Sequence, residues 1–281
     1  MRENLRKVIS RRNFFGLCGA GAGGLGYMHF GEAQWLEINE RKAELTRGGA
    51  EVRILHLSDF HASSAVSLDF IREAVELGLS LKPDLVCLTG DFITNKYKDY
   101  ATYASILRRF SETVPTFACM GNHDGGFWAK RWGYPDWKHV GKLLRDAQAQ
   151  ILYNAAHEIE VKGRRFQLVG VGDLWAKELD AKKAFSTTTK ALKTILLSHN
   201  PDSKEQLGGY NWDLMLCGHT HGGQLRLPIL GTPFAPVKDK RYVEGLKPWR
   251  DRLIHVSKGV GNLHGMRFNC RPEVSLLRVT V

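Results

Sequence analysis

Cysteine is scarce in this sequence, with five in 281 residues. The count is odd, and Cys87, Cys119 and Cys217 each sit inside an apolar, strand-like run, which excludes a disulfide framework and makes them small core residues. Acid is also in deficit: 29 Asp and Glu stand against 40 Lys and Arg, a formal charge of +11. That balance favours anionic substrates or an anionic membrane surface. There is no internal repeat, no low-complexity tract and no convincing interdomain linker. At 43% hydrophobic content the chain can bury one substantial core, so a single main domain is expected. No DNA-binding motif is evident, which leaves nucleic acid a minor partner class.

Part of the basic excess is concentrated at the start, where MRENLRKVISRR carries five Arg and Lys against Glu3. Within it, Ser10 to Phe15 read SRRNFF, a match to a twin-arginine export signal, and the glycine-rich GLCGAGAGGLGYMHF follows. That stretch is short and glycine-rich for a spanning helix but suits the mild hydrophobic region of such a signal. Residues 1–33 are therefore expected to be a signal or membrane tether, and 34–281 the folded domain. The small-x-small triplet Gly31, Glu32, Ala33 is the nearest cleavage site. Cys18 lacks the flanking residues of a lipid-attachment site. The expected partner is the twin-arginine export machinery, and the expected location is the periplasm or outer face of the inner membrane, with a cytoplasmic, membrane-associated form as the alternative.

Beyond the leader, 35–45 reads as an edge strand, and strand and helix patterns then alternate. Strands at 51–59, 84–91 and 116–124 are separated by amphipathic helices at 67–81 and 100–112, the pattern of βαβ units with strands buried on both faces. Further strand-like runs at 151–161, 165–173, 193–200, 213–221, 253–261 and 274–281 have fewer helices between them, so more antiparallel pairing is expected there.

Many of these strands end in polar clusters. The run Met215 to Leu225, MLCGHTHGGQL, leaves a buried strand through glycine and offers His219 and His221 two residues apart, a spacing that on an extended chain places both imidazoles on one face. Asp59 and His61, Asp91, Asn122 and His123, and His199 end other strands. Ligands of open α/β sheets bind at the carboxyl ends of strands, so these residues are expected to converge in one crevice.

In order, the clusters are D-x-H, G-D, G-N-H-D, H and G-H-x-H. This five-block pattern resembles the calcineurin-like metallophosphoesterase superfamily over essentially everything from Arg53 onward. The resemblance implies an α/β fold: a two-sheet mixed β-sandwich flanked by helices. It also implies two divalent ions, with Asp59, His61 and His221 on one, Asn122, His199 and His219 on the other, and Asp91 bridging both. Neutral imidazoles and carboxylates suit manganese, iron, zinc or cobalt. Such a pair lowers the pKa of a bridging water and neutralises charge on the phosphoryl oxygens, so the implied activity is phosphodiester hydrolysis by a metal-activated hydroxide.

His123 is the one histidine of the set outside this ligand scheme. It is read as the catalytic group that stabilises the transition state and helps protonate the leaving oxygen, with Asp124 orienting it. For substrate binding the candidates are Arg267, together with Trp128 and Arg131 from the aromatic and basic stretch 127–137, which could serve as a lid, a platform or a lipid anchor, or could simply fold back on its scaffold. The expected substrate is an anionic phosphoester, possibly lipid-linked. Two rivals stand beside this reading: a pyrophosphatase acting on UDP-2,3-diacylglucosamine, and a non-catalytic membrane- or wall-binding module.

Overall fold

The computed structural model describes residues 23–281, so the twin-arginine motif at 10–15 and Cys18 lie outside the described residues. Two six-stranded sheets make up the body. The first comprises β1 (Glu37–Glu44), β2 (Glu51–Leu57), β3 (Leu85–Thr89), β4 (Thr116–Cys119), β5 (Gln150–Ile151) and β12 (Glu273–Thr280), in the order β1-β12-β2-β3-β4-β5. The second comprises β6 (Ala155–Val161), β7 (Arg164–Gly170), β8 (Thr194–Leu197), β9 (Leu214–Cys217), β10 (Gly245–Trp249) and β11 (Arg252–Val256), in the order β10-β11-β9-β8-β7-β6. The last strand thus returns to sit between β1 and β2.

Side-chain alternation explains the apolar runs. In β2, Val52 and Ile54 enter the core between the sheets while Leu55 and Leu57 face the helices. The same division holds in β3, where Leu85 and Cys87 point inward and Val86 and Leu88 outward. In β9, Leu214 and Leu216 point inward while Met215 and Cys217 pack on the far side. Strands covered on both faces need apolar residues at every position, which is why these runs do not alternate in polarity. The expected αββα sandwich is therefore the observed one.

Helices α1 (Leu68–Ser80), α2 (Tyr100–Ser111) and α4 (Lys138–Asp146) cover the outer face of the first sheet through Ile71, Val75, Leu107, Phe110 and Leu144. Ser67 caps α1 by accepting the Phe70 amide hydrogen, a contact whose loss to alanine costs ~1 kcal/mol. The short helices α3 (Gly126–Ala129) and α5 (Ala181–Ala184) lie in connections. Cover on the second sheet is thinner and aromatic, with Trp212 and Trp249 stacked at 5.4 Å. Among the named strands, the antiparallel pairs are β12–β2, β10–β11 and β6–β7. Two of those three are in the second sheet, yet its central pairs are parallel. That parallel core aims the carboxyl ends of β8 and β9 the same way.

The folded body begins before residue 34. Ala33 is fully buried, Glu32 accepts the Cys270 amide hydrogen, and the Met28 carbonyl accepts that of Arg267. The boundary expected at 33/34 thus cuts through a packed segment, and Gly31-Glu32-Ala33 is part of the fold.

Candidate metal centre

The polar clusters meet where β2, β3, β4, β8 and β9 end, and the chain leaves those strands abruptly. Asp59, His61, Asp91, His219 and His221 all have left-handed backbone, with φ of 53°, 49°, 55°, 71° and 51°. For non-glycine residues this costs roughly 1–3 kcal/mol each and persists only where surroundings impose it. Here the surroundings do. The amide of Asp59 donates to Gly90 O and that of His61 to Asp91 O, while the His219 amide donates to both Asp59 carboxylate oxygens at 3.0 Å.

The extended geometry expected for His219 and His221 is absent, because the strand ends at Cys217 and a 3-10 turn begins at His221. The two imidazoles consequently serve different clusters. Asp59, His61 and His221 form one buried group, and Asp91, His199 and His219 the other, each with ligand atoms within 4.8 Å of one another. Asp91 lies between the two: its Oδ2 is 3.4 Å from His61 Nε2 and 3.1 Å from His199 Nε2.

Close approach also explains one glycine. A Cβ on Gly218 would collide with Ser58 Oγ and the Asp59 carboxylate, so only glycine lets β9 come this near to β2.

Several atoms in this pocket lack partners within the protein. Asn122 Oδ1, His199 Nε2, His219 Nε2 and His221 Nδ1 are buried without a hydrogen bond. The Nε2 atoms of His61 and His221 face each other at 3.1 Å. Buried polar atoms are normally satisfied, and such convergence of lone pairs fits a cation. Two other ring nitrogens are engaged: His199 Nδ1 donates to Thr89 O at 2.7 Å, and Thr94 Oγ1 sits 3.2 Å from His61 Nδ1. These contacts orient both rings with Nε2 turned inward.

Protonation supports the same role. Burial holds His61 down to about 3, and pushes His219 and His221 well below the usual imidazole range. All three are therefore neutral donors at pH 7. Burial and the nearby Asp91 carboxylate push Asp59 up to about 6, despite His199. Burial opposes ionisation of Asp91 and His199 alike, but their mutual attraction wins: Asp91 is held well below and His199 well above the ordinary values.

Beside the two groups, His123 is half-buried and points into the cleft, as does Asn122. Asp124 does not orient it, and that expectation is corrected. The Asp124 carboxylate accepts the amide hydrogens of Asp91, Phe92 and Gly121 at 2.8–2.9 Å and so clamps the ends of β3 and β4 together. Instead, His123 Nδ1 donates to the Thr94 carbonyl at 2.7 Å.

Arg267 is likewise corrected as a phosphate contact. It is fully buried, and its guanidinium donates to carbonyls of Lys258, Gly259, Gly261 and Cys270. Arg131 is exposed and does not line the cleft. Trp128 does line it, packed 4.6 Å from Trp175.

Trp175 itself was not among the expected residues, nor was Asp173. Trp175 stands edge-on to His219 at 4.3 Å. Asp173 shapes that loop by accepting the Trp175 and Ala176 amide hydrogens, and burial pushes its carboxyl up to about 6. The strand-end pattern GVGD at 170–173 carried the same signal as the other clusters. Above the metal groups opens a cleft of about 470 Å³, walled by Trp128, Trp175, Leu225, Phe234, Pro236 and Leu263.

Residues 52–223 match the family described as calcineurin-like phosphoesterase. Across 97% of this chain and the whole of its relative, the sequence is 43% identical to phosphodiesterase YaeI of Escherichia coli. The chain belongs to the calcineurin-like phosphoesterases. A second family member, the uncharacterized metallophosphoesterase YkuE of Bacillus subtilis, is 31% identical over 96% of this chain and 97% of its own length. UDP-2,3-diacylglucosamine pyrophosphatase LpxG of Chlamydia trachomatis is 27% identical over 81% and 83% of the two chains. Two candidate ligand groups side by side are what a dinuclear member of this family requires.

Proposed function

We propose that the chain is a phosphodiesterase holding two divalent ions, one on Asp59, His61 and His221 and the other on Asn122, His199 and His219. Asp91 bridges them. The observation carrying this reading is the position of Asp91 Oδ2 between a histidine of each group, with unpartnered donor atoms around it. The bound ions would supply Lewis acidity to the phosphoryl oxygens and an activated water.

The protein's own groups do the rest. Asp124 fixes the backbone that carries Asp91, and Thr89 fixes His199. His123, anchored through Nδ1 to Thr94, holds a proton at Nε2 facing the cleft and gives it to the leaving oxygen. The largely apolar walls support a substrate whose phosphoester carries a lipid or other apolar group. The same walls, and the likeness to a UDP-2,3-diacylglucosamine pyrophosphatase, support pyrophosphate cleavage in a nucleotide-linked lipid as a second reading.

One assay separates the two readings. The purified, metal-reconstituted chain is presented with phosphomonoesters, phosphodiesters, pyrophosphates and lipid-linked nucleotides. Preference for diesters is expected; activity confined to the lipid-linked pyrophosphate establishes the alternative, and no turnover of any of them removes the catalytic reading.

The SRRNFF motif supports export by the twin-arginine route to the periplasm or outer face of the inner membrane. Replacing Arg11 and Arg12 with Lys should strand an active, metal-loaded protein in the cytoplasm. An unmodified protein that fractionates with the cytosol contradicts it.

A further inference from the structure

After the metal centre, the chain pairs briefly with the 265–270 loop and then turns back on itself as a tight hairpin. The Arg226 amide donates to Phe268 O, and Leu227 and Gly231 exchange backbone hydrogen bonds. Pro228, Ile229 and Leu230 form the tip. Ile229 is 106% exposed and Leu230 70% exposed, so neither contributes to the core. Ile229 also has φ of 69°, a conformation in which a β-branched residue is strained and glycine or asparagine would be cheaper. Neither fold stability nor solubility favours isoleucine at this position, which points to a contact outside the chain.

The surroundings identify that contact. Phe234, 68% exposed, lies just beyond the hairpin and also lines the cleft, so apolar surface continues from near the tip to the metal groups. On the neighbouring segment, held by the Met28 carbonyl to the Arg267 amide, Leu25 and Phe30 are exposed as well. The rim carries a basic excess: Arg226 is paired with Glu244, Asp136 with Lys138 and Asp239 with Arg241, while Lys130, Arg131 and Lys238 stand without an ion-pair partner among the described residues.

A narrow apolar wedge backed by basic side chains fits an anionic lipid interface, into which bulky aliphatic and aromatic residues insert while Lys and Arg meet the headgroups. A stable protein partner would instead need a broad complementary patch of at least ~1,200 Å² in total.

We propose that the 227–231 hairpin, with Phe234 and the basic rim, docks the enzyme on an anionic phospholipid bilayer with the cleft open to it. This rests on the reading of the cleft as taking a phosphoester with an apolar group. Once docked, such a substrate could slide from the bilayer along Phe234 and Leu225 to the metal groups without its apolar part crossing water.

The test uses the full chain, metal-loaded, with vesicles of phosphatidylglycerol and phosphatidylethanolamine, and vesicles of phosphatidylcholine alone for comparison. Co-sedimentation should favour the anionic vesicles and weaken with salt. The double variant Ile229→Ser/Leu230→Ser should lose roughly tenfold or more in vesicle affinity. Its hydrolysis of the water-soluble bis(4-nitrophenyl) phosphate should be unchanged, because neither side chain lines the cleft. Hydrogen exchange at 226–234 should slow on vesicle addition, a readout that holds even where another segment also tethers the chain.

Vesicle binding with unaltered exchange at 226–234 overturns the proposal, as does equal affinity of the double variant and the parent. Self-association through the same residues in place of vesicle binding would make the occupant a second copy, and also overturns it. Failure to hydrolyse the soluble diester while docking persists counts against the catalytic reading alone.

Discussion

At the scale of single residues, His123 is the most informative position. Its ring is fixed through Nδ1, and it belongs to neither cluster of ligand atoms. His123→Ala should retain both metals and slow turnover by roughly 10²- to 10⁴-fold, the usual cost of a lost general acid. The loss should be larger for an alkyl diester than for an aryl diester, because an alkoxide needs the proton and a phenolate hardly does. Steady-state rates on both substrates, with metal content measured alongside, check this: equal losses would leave His123 only electrostatic stabilisation, and metal loss would make it a ligand. The residues that meet in the pocket were legible because their types are unusual at the ends of apolar strands. Asp124 and Arg267 were misjudged for a common reason: their partners are backbone amides and carbonyls, and such hydrogen bonds leave no residue pattern. Thr94, which supports both His61 and His123, was invisible for the same reason.

At the scale of elements, the strands were readable because burial on both faces forces unbroken apolar runs, as in LVCL of β3 and LMLC of β9. Strand ends were read as extending too far. The run 213–221 was taken as extended through His221, whereas the ladder stops at Cys217 and left-handed residues follow. Those conformations are imposed by contacts between strands remote in sequence, so local pattern cannot report them. Helix α4 was not expected: it follows directly on the aromatic stretch 127–137, and its start at Lys138 carries no side-chain cap.

The contact of β9 with β2 makes a prediction about glycine. Gly218→Ala must push Ser58 and Asp59 aside, and should destabilise by roughly 1–3 kcal/mol or more while loosening metal binding. Gly209→Ala, in open space with ordinary backbone, should change neither by more than a few tenths of a kcal/mol. Denaturant melts of the two variants provide the comparison.

For the whole molecule, the site's protonation ties folding to pH and metal. His56 and His255 form a buried pair with Nδ1 atoms 2.9 Å apart and, like His61, His219 and His221, burial holds their pKa values down, His255 to about 3. Unfolding lets these rings take up protons near their ordinary value, so stability falls as pH drops below about 6.5. Asp59 and Asp173 behave oppositely: their folded values are raised to about 6, so the stability linked to their protonated forms is lost as pH rises through about 6. The five rings outnumber the two carboxyls, so the metal-stripped chain should gain stability as pH rises through about 6.5, and Asp124, which burial pushes up to about 8, should take some of that gain back as pH rises through about 8. Metal should raise Tm more at about pH 8 than at about pH 5.5, since it replaces the proton on the buried carboxylate. Scanning calorimetry of stripped and loaded protein across that range reads both effects.

The proposed metal centre turns on one arrangement, two ions sharing Asp91. The most direct test is elemental analysis and turnover of Asp91→Asn beside Asn122→Ala and the parent chain. Asp91→Asn removes a negative ligand from both ions, whereas Asn122→Ala removes a neutral ligand from one. The parent should carry two ions, Asp91→Asn should be depleted of both with the greater loss of activity, and Asn122→Ala should be affected at one. An Asp91→Asn protein that keeps two ions and normal turnover would contradict the shared-carboxylate centre.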